Sequence, residues 1–86
     1  MSRKHDHLLT SLFSDPPSGN IHWREVESLL RHLGARIEPG HGARMKVVLN
    51  GSEGTLHYPH HGGVCSKQDI RHLRKYLVSV GISAPD

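Results

Sequence analysis

The chain has 86 residues, 35% of them apolar and only four aromatic (Phe13, Trp23, Tyr58 and Tyr76), and a formal net charge of +3 with its nine histidines neutral. A chain this short is stable only when nearly every apolar residue enters one core, which excludes separate catalytic and regulatory domains and a deep, bulky-walled pocket for a large organic cofactor. The single cysteine, Cys65, excludes an internal disulfide and points to a reducing cytoplasm, while Leu8 to Phe13 are too short an apolar run for a secretory signal or a membrane span.

In chain order, Leu8, Leu9, Leu12 and Phe13 fall at helical spacing, and the run Ser14-Asp15-Pro16-Pro17-Ser18-Gly19 cannot continue a helix. Residues 1–19 therefore read as a helical appendage and linker, whose apolar stripe either packs back on the domain or meets a partner. Asn20 offers an N-cap to a helix with Val26, Leu29, Leu30 and Leu33 on one stripe, and Gly34 supplies a left-handed stop. The period then changes to two: residues 35–38 form a short strand, Pro39-Gly40-His41-Gly42 a loop, and residues 44–49 a longer strand. Asn50-Gly51 suits the two positive-φ positions of a type I′ turn, so residues 54–58 return antiparallel. Beyond Pro59-His60-His61-Gly62-Gly63, Ile70, Leu73, Leu77 and Val80 mark a helix with Ser66 as cap, Asp69 completing a capping box, and Gly81 as its end. The expected fold is α+β: helix, three-stranded antiparallel sheet, helix over residues 20–82, both main helices on one sheet face, with a tail at 83–86.

The Asn50-Gly51 turn pairs Met45 with Leu56 and Val47 with Gly54, and sets Arg44 opposite His57 and Lys46 opposite Thr55 on the other face. An Arg, a Lys and a His on an open sheet face are what phosphodiester recognition and cleavage require: fixed cations for phosphate oxygens and a group that moves protons near neutral pH. An ordinary solvated face has the same pattern. The last helix adds Lys67, Arg71, Arg74 and Lys75 against Asp69 alone, a stripe suited to a phosphate backbone or simply to solvent. His57, His60, His61 and Cys65 lie within nine residues, but a strand histidine, two adjacent histidines and no paired cysteines make a poor zinc set, so no metal is expected. Nothing positions a base beside Cys65, which argues against a thiol nucleophile. The glycine-bracketed loop can place His41 beside Arg44.

Trp23-Arg24-Glu25-Val26-Glu27-Ser28-Leu29-Leu30, Leu33-Gly34-Ala35, Gly40 to Arg44, Val48-Leu49-Asn50-Gly51 and His57-Tyr58-Pro59-His60 together resemble the HicA-type toxins of toxin–antitoxin systems, in the subgroup with an N-terminal helical extension. The resemblance spans about residues 20–82. It implies a fold similar to a double-stranded-RNA-binding domain, ribonuclease activity on messenger RNA that depends on a sheet-side histidine, and a HicB-type antitoxin that covers the site. Where the family commonly has a glycine, a serine and one or two histidines, this chain has Gly40-His41-Gly42-Ala43-Arg44, so Arg44, or Ala43, takes the place of the usual active histidine. Arginine stays protonated and makes a poor general base. The proton then goes to His41 or to His57, with Arg44 stabilising phosphate charge, or else the chain binds RNA or another partner without cutting it. The expected cleavage uses a 2′-hydroxyl nucleophile and no cofactor, with Arg44, Lys46, Lys67, Arg71, Arg74 and Lys75 docking phosphates.

Overall fold

A computed structural model of the chain describes residues 3–14, 20–59 and 63–83. The elements are α1 (Arg3–Phe13), α2 (Trp23–His32), β1 (Arg36–Pro39), β2 (Arg44–Leu49), β3 (Ser52–His57) and α3 (Lys67–Ser79). The strands form one antiparallel sheet in the order β1-β2-β3. The β2–β3 register is Arg44↔His57, Met45↔Leu56, Lys46↔Thr55 and Val47↔Gly54, as the turn dictates: Asn50 and Gly51 both have positive φ, 53° and 76°. The Asn50 side-chain amide also donates to the Val80 carbonyl at 2.8 Å, tying the hairpin tip to the end of α3.

Alternation along the strands puts Ile37, Met45, Val47, Leu49 and Leu56 on one face, where α2 packs against β1 and α3 against β3. The α2 stripe buries Val26, Leu29 and Leu30, and the α3 stripe buries Ile70, Leu73 and Leu77 together with Tyr76. Tyr76 lies over Gly54, where an added β-carbon would stand 2.5 Å from the ring, and its hydroxyl donates to the carbonyls of Ser52 at 2.8 Å and Val47 at 3.3 Å. A strand glycine here marks the close approach of an aromatic ring.

Helix α1 packs against α2 and α3 and places Leu8, Leu9 and Leu12 in the same core, Leu12 completely. Of the two readings of that apolar stripe, packing back on the domain is the one realised, and α1 is a wall of the core. At its C-terminus the Arg74 guanidinium donates to the carbonyls of Leu12 at 2.9 Å and Ser14 at 2.8 Å, two of the groups a helix end leaves without intrahelical partners. Residues 15–19 and 84–86 of the expected linker and tail lie outside the described residues.

The expected Asn20 cap is corrected. Asn20 itself is left-handed (φ 63°), α2 begins two residues later with His22 as N-cap, and no side chain caps it. A His22–Val64 bridge holds the chain extended there, and the Trp23 amide finds the Gly63 carbonyl at 2.7 Å, so a backbone group from the segment between β3 and α3 takes the role of a cap. At α3 the capping box forms as expected, with Ser66 Oγ accepting from the Asp69 amide at 3.1 Å and the Asp69 carboxylate from the Ser66 amide at 3.2 Å. The first strand covers Arg36–Pro39, one residue later than expected, because Ala35 is buried at the α2 end, its amide bonded to the Leu30 carbonyl. Among the described residues no helix is long and apolar enough to cross a membrane.

Candidate nucleic-acid interface

The sheet face turned away from the helices carries Arg36 and Glu38 on β1, Arg44, Lys46 and Val48 on β2, and Glu53, Thr55 and His57 on β3. Its cations are partly matched: Lys46 pairs with Glu53 at 3.1 Å, and Arg36 with Glu38 at 3.5 Å. The sequence reading gave weight to Arg44 and Lys46 but not to these two carboxylates, although alternation alone places them there. These exposed pairs are weak and salt-screened, so an incoming phosphate can displace them.

Arg44 and His57 are different. They are direct cross-strand partners at the end of the ladder, both are exposed, and among the described residues neither side chain has a hydrogen bond or an ion pair. The loop before Arg44 is closed by two backbone bonds, from the Gly40 amide to the Arg44 carbonyl at 2.8 Å and from the Arg44 amide to the His41 carbonyl at 3.2 Å, so His41 is fixed three residues from Arg44 along the chain. Its side chain is exposed.

His57 also lines a concavity of about 250 Å³ between the end of β3 and the first turns of α3, together with Cys65, Gln68, Asp69 and His72, with Trp23 and Leu56 in its wall. Cys65 is half-buried, and burial, helped by the negative charges of Asp69 and Glu25, pushes its thiol up to about 11, so it stays protonated at neutral pH. A protonated thiol is a poor nucleophile and a poor zinc ligand. Among the described residues no three His, Cys, Asp or Glu side chains are grouped as a metal site; His60 and His61, two members of the considered zinc set, lie outside them.

On the outer surface of α3 the four cations part company. Lys67, Arg71 and Lys75 are exposed, whereas Arg74 is half-buried with two of its nitrogens on the α1 carbonyls. Arg71 and Lys75 line a shallow groove with Gln68, His72, the exposed Val78 and the part of Arg74 that is not covered by α1. Gln68 and His72 thus line both concavities. The sheet-end pair Arg44–His57 and the helix pair Arg71–Lys75, which the sequence treats separately, are joined around the β3 edge by these two residues. His72 was legible only as a histidine one turn after Gln68 on the exposed side of a helix; that it lines one concavity with His57 depends on how α3 packs on β3.

No family model, curated protein or solved structure matches this chain.

Proposed function

We propose that the chain is a metal-independent endoribonuclease of the HicA toxin type, with a fold of the double-stranded-RNA-binding kind, acting on messenger RNA in the cytoplasm and restrained by a HicB-type antitoxin. The observation that carries this reading is the continuous exposed track from Arg44 and His57, past Gln68 and His72, to Arg71 and Lys75. It supplies cations for successive phosphates and an imidazole next to an arginine. Lys46 lies two residues beyond Arg44 on β2, and Lys67 opens α3 one residue before Gln68. Arg74 holds α1 in place instead.

Within that reading His57 takes the proton of the 2′-hydroxyl and Arg44 stabilises the charge that develops on the phosphate. His57 suits the base better than His41 because it faces Arg44 across the ladder and lines a concavity able to hold the reacting group. One observation favours the runner-up, a binding module that does not cut: the Glu53 and Glu38 carboxylates temper the sheet face, which suits a protein partner as well as RNA.

Salt-dependent RNA binding tests the track. Arg44→Ala, Arg71→Ala and Lys75→Ala are each expected to weaken binding and to make the plot of log affinity against log salt shallower by about one unit. Binding that is absent at low salt, or unmoved by all three changes, would contradict the RNA reading.

A further inference from the structure

We propose that His72 is a second catalytic residue, the general acid that protonates the departing 5′-oxygen while His57 acts as base across the concavity between β3 and α3. This rests on the ribonuclease reading and extends it to a residue that neither composition nor strand alternation singles out. Transfer of a phosphodiester to a neighbouring 2′-hydroxyl moves two protons, one from the nucleophile and one to the leaving group, on opposite sides of an in-line phosphorus. One imidazole cannot stand on both sides at once. Here two line one concavity of about 250 Å³, His57 from the end of the strand and His72 from the helix, and both are exposed to solvent.

The other polar groups around His72 leave it this role. On its own helix Gln68 lies one turn before it, and Arg71 and Lys75 on either side bring positive charge. The Asp69 carboxylate is engaged by the Ser66 amide at 3.2 Å. Cys65 retains its proton, and Glu25 of α2 reaches the thiol electrostatically. His57, at the end of β3, lines the same concavity. Among these groups the imidazoles are the ones whose ring nitrogens can serve as either donor or acceptor of a proton.

The step balances as follows. The 2′-oxygen gives its proton to neutral His57 and forms a bond to phosphorus, the bond from phosphorus to the 5′-oxygen breaks, and that oxygen takes the proton of protonated His72. The products are a 2′,3′-cyclic phosphate and a 5′-hydroxyl, and solvent restores the starting protonation of both imidazoles.

The test uses the full chain and an RNA oligonucleotide spanning a mapped cleavage position, made with the natural 5′-bridging oxygen or with sulfur in its place, since a thiolate departs without needing a proton. His72→Ala and His72→Gln are expected to lose about 10²- to 10⁴-fold on the oxygen substrate and to stay within a few-fold of wild type on the sulfur substrate. His57→Ala is expected to lose activity on both, and the wild-type bell-shaped pH profile to lose its alkaline limb in the His72 variants. Equal losses on both substrates in folded His72 variants, or no loss on either, would overturn the proposal. If His57→Ala is inactive while both His72 variants cut at the wild-type rate, only the second histidine is wrong. If wild type cuts no RNA, the ribonuclease reading falls with it.

Discussion

At the scale of single residues, the clearest constraint is the contact between Gly54 and Tyr76. A methyl group at position 54 meets the flat of a ring that is fixed by its hydroxyl bonds to the Ser52 and Val47 carbonyls, so Gly54→Ala is expected to destabilise the fold by about 1–3 kcal/mol in urea unfolding. An unchanged midpoint would mean the ring moves aside freely. Cys65 offers a second test. With the folded thiol raised to about 11, the folded state holds its proton over a range where the unfolded thiol gives it up. The associated stability is therefore full below the unfolded value and is lost as pH rises toward the folded one. Thermal unfolding between neutral and strongly alkaline pH should show that decline in wild type and less of it in Cys65→Ser. The sequence pointed away from a reactive thiol for want of a neighbouring base; burial supplies a further reason.

At the scale of elements, the hairpin was legible to the residue because the Asn50-Gly51 dipeptide fixes turn type, and turn type fixes every cross-strand pair. The capping box at α3 was legible for the same reason, being written within four residues. The start of α2 was not, because its first amide is satisfied by Gly63, forty residues further along the chain, and no local pattern announces such a partner. The same limit hid Arg74. Spacing puts it in a row with Lys67, Arg71 and Lys75, yet its guanidinium belongs to the end of α1. Arg74→Ala is thus expected to cost about 1–3 kcal/mol and to speed amide exchange in the last turn of α1, while leaving RNA affinity nearly unchanged. Arg71→Ala should do the reverse. An Arg74 variant as stable as wild type but weak in RNA binding would return this residue to the phosphate track.

At the scale of the whole molecule, α1 turns a two-layer arrangement into a core with a third wall. Leu12 is wholly buried beside α2 and α3, so Leu12→Ala is expected to cost about 2–5 kcal/mol and to lower a single cooperative transition. A separate early transition for α1 would mean that the helix is an appendage after all. The same global packing shapes the candidate site. Composition and alternation identified Arg44, Lys46 and His57 as a face and place Glu38 and Glu53 on it too, but the joining of sheet end to helix through Gln68 and His72 becomes visible only when α3 is laid along β3.

The most direct measurement is cleavage of a labelled messenger RNA by the purified full chain in excess chelator, beside His57→Ala, His41→Ala and Arg44→Ala. The expected result is chelator-resistant cutting that persists in His41→Ala, falls by about 10²- to 10⁴-fold in His57→Ala and falls by about 10²- to 10³-fold in Arg44→Ala. RNA that is bound but left intact, or cutting that requires a metal ion or survives the loss of His57, would contradict a metal-independent ribonuclease built around the end of β3.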